Sequence, residues 1–152
     1  MKIDGSYSMP FPAEQVWQCL TDAQKIGKCL PGCETMESIG TDLYEATLKM
    51  GIGAIKGTFS SHIRMEILDP GQRYKLSVEG KGAIGFLKGE GVISLDHFAQ
   101  PTRVEYQGDV QIGGLIASVG QRMIQGFAKQ TISQFFAAIV KEMEADSRRQ
   151  VG

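Results

Sequence analysis

Net charge, paired cysteines and long apolar runs are all missing from this sequence. Sixteen Lys and Arg stand against 17 Asp and Glu, a formal charge of −1. Binding to a phosphate backbone needs a basic excess or stripe, so a nucleic-acid binder is not the default reading. The three cysteines, Cys19, Cys29 and Cys33, are an odd number. Cys29 and Cys33 flank Leu30, Pro31 and Gly32, which is not the two-residue gap of a zinc knuckle or thiol–disulfide motif. No second Cys or His pair follows, and neither a metal nor another cofactor is expected. No apolar run approaches the ~20 residues of a spanning helix. The start, Met1-Lys2-Ile3-Asp4-Gly5, turns polar at once. A cytoplasmic protein with reduced thiols is therefore expected.

What the chain has in excess is glycine, 19 of 152 residues, against a typical ~7%. The length suits one domain. The expected domain spans residues 1–145, with a polar tail over 146–152 that frays.

The apolar pattern changes period twice. Ile3–Ser8 reads as a strand, and Pro10 and Pro12 break it. Ala13–Leu20 and Asp22–Lys28 read as short helices, the first with Val16, Trp17 and Leu20 on one face. From Met36 to Ile112 the period is two, with one apolar and one wet face on each strand. This is the signature of an antiparallel sheet covered on one side. From Leu115 to Glu144 the period is helical again, with Ile116, Val119, Met123, Phe127, Ile132, Phe135, Ile139 and Met143 in one stripe. The fold class expected is α+β: a curved, seven-stranded antiparallel sheet wrapped around a long C-terminal helix, with two short helices after the first strand.

The turns fall into two chemical classes. Gly40-Thr41-Asp42, Asp69-Pro70-Gly71-Gln72 and Gln100-Pro101-Thr102 are polar. The stretches 51–57, 80–89 and 113–116 are rich in glycine and apolar residues, and an up-and-down sheet places them together at the other end. Apolar tips in water mark a site. Ile52, Ile55, Ile84, Phe86, Leu87 and Leu115 are expected at the mouth of a cavity, with Arg122 meeting a polar ligand head. Phe59, Ile63, Met65, Tyr44, Tyr106, Val119, Met123 and Phe127 are expected to line it. His62 falls on a wet face and His97 near a turn, neither with a partner placed by spacing, so no catalytic residue is assigned.

Several short motifs carry a resemblance over most of the chain: Cys29-Leu30-Pro31-Gly32-Cys33-Glu34, Lys56-Gly57-Thr58-Phe59, Gly80-Lys81-Gly82, Asp109-Val110-Gln111-Ile112-Gly113-Gly114 and Ala117-Ser118-Val119-Gly120-Gln121-Arg122. With the order of elements, they make the chain resemble the CoxG family of carbon monoxide dehydrogenase subunits, within the START-like helix-grip (SRPBCC) superfamily. The resemblance implies a non-catalytic accessory protein that serves a molybdenum hydroxylase-type dehydrogenase. It implies a hydrophobic ligand, lipid or quinone-like, in the grip, and peripheral contact with the inner face of the cytoplasmic membrane. Such proteins often continue into an apolar or basic tail, whereas Arg148 and Arg149 here precede Gly152 with no apolar anchor. The alternative is a START-like enzyme of the cyclase or hydrolase type acting on a small apolar substrate. Charged residues fall on the outward register, which favours the carrier.

Overall fold

A computed structural model describes residues 1–99 and 101–151. Its first strand, β1 (Lys2–Met9), turns its odd-numbered side chains inward and its even-numbered ones to water. The helix α1 (Ala13–Leu20) follows Pro12, whose φ of −59° suits a helix entry, and buries Val16, Cys19 and Leu20. In α2 (Ala23–Cys29) the Asp22 carboxylate caps the first turn, accepting from the amides of Gln24 at 3.0 Å and Lys25 at 3.3 Å. The turn after α2 is pinned to the sheet, because the Lys49 amide donates to the Gly32 carbonyl at 2.7 Å. Gly32 has a φ of +80°, and a Cβ there would strike the Lys49 carbonyl. That is the structural work of the Cys29–Cys33 motif.

Six strands follow: β2 (Cys33–Gly40), β3 (Leu43–Ile52), β4 (Ile55–Asp69), β5 (Arg73–Gly82), β6 (Gly85–Asp96) and β7 (Thr102–Gly113). The sheet order is β1-β7-β6-β5-β4-β3-β2, antiparallel throughout, with β1 paired along β7 from Lys2↔Asp109 to Met9↔Thr102. The fold is the expected one. Three local expectations need correction. The long glycine-rich tips are mostly ladder: only Gly53-Ala54 separates β3 from β4, and only Ala83-Ile84 separates β5 from β6. Those glycines serve close strand approach, since a Cβ on Gly82 would meet the Thr58 carbonyl and one on Gly85 the Gly113 carbonyl.

The C-terminal helix is also not one rod from Leu115. Leu115–Val119 is a 3₁₀ turn. Gly120, at φ +96°, breaks the chain, and α3 then runs over Gln121–Val151. Residues 146–151, expected as a polar tail, are helical. Lys25 on α2 holds Asp146 at 2.6 Å within this last stretch of helix. The third polar turn includes Gln100, and the expected tail includes Gly152. Both residues lie outside the described ones.

The interior forms two apolar clusters. One joins Met9, Val16, Leu20, Met65, Val104, Phe136, Ile139 and Met143 beneath α1 and the far half of α3. Tyr7 stacks on Phe136 there, with ring centroids 5.1 Å apart. The other, at the glycine-rich end, joins Ala46, Leu48, Ile52, Phe59, Ile63, Ile84, Ile116 and Ile124.

The Lys25–Asp146 contact makes a pH prediction. The hydrogen bond from Lys25 holds the Asp146 carboxyl below its usual value of 3.8 and raises the Lys25 ammonium above 10.5. The contribution is present above the unfolded carboxyl value and is lost as pH falls through the lower folded one; on the alkaline side it is lost as pH rises through the raised Lys25 value. Hydrogen-exchange protection over residues 142–149 should hold at neutral pH and fall below about pH 4. Asp146→Asn should lose that protection at neutral pH. Equal protection in the variant at pH 7 would contradict the pinning.

Candidate ligand cleft between sheet and helix

The inward register of the sheet is not uniformly apolar. Gly89 and Gly91 on β6 and Gly108 on β7 all face inward, and Gly91 lies directly opposite Gly108. The three atoms nearest to a Cβ built on each belong to β6 and β7, and none of them to α3. Above them the floor is bare. Around them, Leu76, Val78, Ile93, Tyr106, Val110 and Ile112 face inward yet keep part of their surface accessible. Phe127, Ile132 and Phe135 on α3 do the same. Backbone spacing agrees: α3 comes closest to β1 and β3, towards the two rims of the sheet, and stands off β4–β7. Apolar side chains facing one another with access left between them define a cleft, not a closed core.

This cleft opens at the glycine-rich end. A cavity of about 480 Å³ lies where β7 ends and α3 begins, lined by Met1, Phe86, Val110, Ile112, Ala117 and Ile124, with Gln111 and Gln121 beside them. A second hollow of about 360 Å³ lies among Asp4, Ser6, Val92, Ser94, Glu105 and Gln107 and is mixed in character.

One polar group is sealed inside. Ser61 follows the inward register of β4 between Phe59 and Ile63 and is 0% exposed. Its hydroxyl has no hydrogen-bond partner. It rests against Gly80, where a Cβ would come within 2.6 Å of Oγ. The sequence reading missed Ser61. The signal was present, a hydroxyl on the apolar register of Phe59-Ser61-Ile63-Met65, but a serine in an alternating strand draws no notice by itself. Among the described residues the only other buried polar side chain is Thr102, whose hydroxyl donates to the Phe11 carbonyl at 2.7 Å.

The expected site residues separate into groups. Phe59, Ile63 and Met65 are fully packed in the two clusters, Met65 in the one remote from the mouth. Tyr44, Tyr106, Val119 and Phe127 are half-buried, and Tyr106 stacks at 6.0 Å on Phe136. Val119 lies in the 3₁₀ turn, not in the long helix. Met123 points outward instead of lining the cleft and is 47% exposed. Its methyl sits beside Gly53, because Gly120 resets the helix start and rotates the stripe. Of the expected mouth, Ile52 and Ile84 are buried within the second cluster, and the two-residue turns fold them inward. Ile55 and Leu87 are half-buried; Phe86, Leu115 and Arg122 are exposed.

The titratable groups near the interior are thiols and one phenol. Burial pushes the Cys19 thiol up to about 11 and raises Cys29 and Cys33 as well. Cys33 also donates to the Thr35 carbonyl at 3.3 Å. Burial likewise raises the Tyr74 phenol. These groups are neutral at ordinary pH, so none is an activated nucleophile. His62 is exposed on the outward face, and His97 Nε2 lies 2.8 Å from the Gly71 carbonyl. Among the described residues no three His, Cys, Asp or Glu side chains converge as metal ligands, and no helix is long and apolar enough to cross a membrane. Among the described residues the cleft thus offers apolar contact and the half-buried Tyr106 phenol, with no paired acid and base.

A seven-stranded antiparallel sheet curved around one long helix, with two short helices after its first strand, is the START-like helix-grip fold. The chain belongs to the CoxG family of carbon monoxide dehydrogenase subunits, which it matches over residues 5–144. Among solved structures it is similar to a conserved protein from Geobacillus kaustophilus, 39% identical, with a TM-score of 0.90 over 95% of this chain and 96% of that one. A START superfamily protein from Mycobacterium smegmatis shares the fold at 13% identity, with a TM-score of 0.71 over 95% and 97% of the two chains. So does the Zhui aromatase/cyclase from Streptomyces sp. R1128, at 16% identity, with a TM-score of 0.67 over 95% and 93%. Comparison with curated proteins returned no match.

A buried hydroxyl without a partner costs roughly 1–3 kcal/mol. Ser61→Ala should therefore stabilise the ligand-free protein by about 1 kcal/mol, a rise of roughly 2–4 °C in Tm at this chain length. Calorimetry of the two proteins checks it, and a lower Tm for the variant would mean that the hydroxyl is satisfied in solution.

Proposed function

We infer that this protein is a non-catalytic carrier that holds an elongated apolar molecule, lipid or quinone-like, between the glycine floor and α3. It serves a molybdenum hydroxylase-type dehydrogenase at the inner face of the cytoplasmic membrane. The observation that carries this reading is the bare floor at Gly89, Gly91 and Gly108, ringed by half-buried apolar side chains and opening at one end. Membership of the CoxG family supports the accessory role and the class of partner enzyme. A ligand burying about 400 Å² of apolar surface gains roughly 10 kcal/mol. Immobilising it costs about 4 kcal/mol or more. What is left corresponds to an affinity of tens of micromolar or weaker, which suits a carrier that must release its load.

The second reading is an enzyme of the cyclase or hydrolase type on a small apolar substrate. The shared fold with an aromatase/cyclase favours it. Among the described residues the buried titratable groups are thiols and the Tyr74 phenol, raised by burial and with no paired base, which weighs against it, because general acid–base chemistry needs a group able to exchange a proton within reach of the reacting atom.

Native mass spectrometry after gentle purification tests the carrier. The expected result is a bound apolar species, exchangeable for an added long-chain quinone or phospholipid. Gly91→Leu places a side chain on the floor where its Cβ meets neighbours at 3.4 Å or more. It should lower that binding at least tenfold while leaving Tm unchanged or higher. Apoprotein alone in both the purified and the ligand-supplemented wild type would overturn the carrier, and undiminished binding in the variant would place the ligand elsewhere.

A further inference from the structure

Tyr106 stands at the inner end of the cleft, four residues along β7 from Val110 at the opening, or about 14 Å. Its ring leans away from the floor. Gly5 faces it directly across the β1–β7 ladder, and a Cβ on Gly5 would strike the Tyr106 hydroxyl and come within 2.7 Å of its Cζ. The ring therefore occupies the space that Gly5 leaves empty. Phe136 holds it there, with ring centroids 6.0 Å apart, and Tyr7 stacks on the same Phe136 at 5.1 Å. Gly5 and Gly108 are diagonal neighbours on that ladder, roughly 7–8 Å apart, so the hydroxyl borders the bare floor. Among the described residues, side-chain and terminal hydrogen bonds on β7 involve Thr102, Asp109 and Val110 and leave that hydroxyl unpartnered. No Lys or Arg falls on the inward register of the seven strands.

We propose that Tyr106 is the residue that selects the ligand of the cleft: its hydroxyl donates to an uncharged carbonyl oxygen at the leading end of an elongated apolar molecule, and Gly5 keeps the ring off the floor. The proposal rests on the carrier reading and adds the chemistry of the inner end. A half-buried phenol without a partner is met best by a neutral acceptor. A carboxylate in the same place would be desolvated with no cation facing it, which is costly. An ionised fatty acid must therefore leave its carboxylate at the mouth. Gly5 acts for a steric reason. A larger residue there pushes the ring away from β1, and the adjoining bare place is the floor over Gly108 and Gly91. Ring and ligand then compete for one site.

Titration calorimetry with two isomers, methyl nonyl ketone and dipentyl ketone, tests this role of Tyr106. They share one composition and differ in whether the carbonyl sits near the end or at the middle. Methyl nonyl ketone should bind the wild type about fivefold tighter, the worth of one net hydrogen bond. In Tyr106→Phe the two should bind alike. Undecanoate, at a pH where it is ionised, should bind both proteins equally. Gly5→Ala should weaken methyl nonyl ketone by roughly tenfold or more. Adding Tyr106→Leu to it should restore binding to the level of Tyr106→Phe, a rescue that a misfolded chain would not give. Isomers bound alike by the wild type, a preference that survives Tyr106→Phe, an undecanoate affinity that falls in Tyr106→Phe, full binding by Gly5→Ala, or a folded double variant that stays blocked would overturn the proposal and leave the carrier standing. A wild type that takes up none of the three probes overturns the carrier, and this role of Tyr106 with it.

Discussion

Seven strands side by side make a sheet about 29 Å across, and one helix with its side chains covers only about 10–12 Å of that width. Every other feature of the molecule answers this mismatch. The sheet curves so that its inward face wraps α3, α1 and α2 close the end where the first cluster sits, and the 3₁₀ turn packs Ile116 at the other, beside the opening. The middle of the floor is left under a helix that stands away from it. There the sequence places glycine. Filling the gap with large side chains would have produced a continuous core; leaving it bare produces a cleft between two well-packed ends.

The two clusters make that arrangement affordable in physical terms. The aromatic contacts of Tyr7, Tyr106 and Phe136 and the buried stripe of Ile139 and Met143 anchor α3 at its far half. Ile116 and Ile124 anchor its start. Between the anchors, Phe127, Ile132 and Phe135 are free to serve as walls. The charges follow the same division: the glycine-rich segments carry cations and no acid, and the acids beside them, Glu79 and Asp109, pair with Lys88 and the Met1 amine. Stability, cavity and surface charge therefore occupy different parts of one short chain.

Much of this was legible beforehand. The change of period from helical to two and back is set by which residues are apolar, and it carried the element order and fold class. The five motifs carried the family. The separation of polar from glycine-rich turns was also visible, because turn chemistry is local. Less legible was what the glycines do. A glycine at a turn and a glycine at close strand approach look alike in sequence, and only pairing such as Gly82 beside Thr58 tells them apart.

What the sequence by itself determined was alternation, and with it which face of each strand turns inward. Tertiary structure decided how far each inward residue is covered. Ile84 and Phe86 sit two residues apart in apolar company, yet one is sealed against Gly57 and the other is half in water. Ser61 looks ordinary in its strand and becomes an orphan hydroxyl only because Gly80, 19 positions away, lies across the ladder. Met123 follows the helical stripe in sequence and leaves it in space because the backbone turns at Gly120. Periodicity is a property of neighbours along the chain; burial and partnership depend on atoms brought together from distant segments, and those distances exist only once the sheet has closed around the helix.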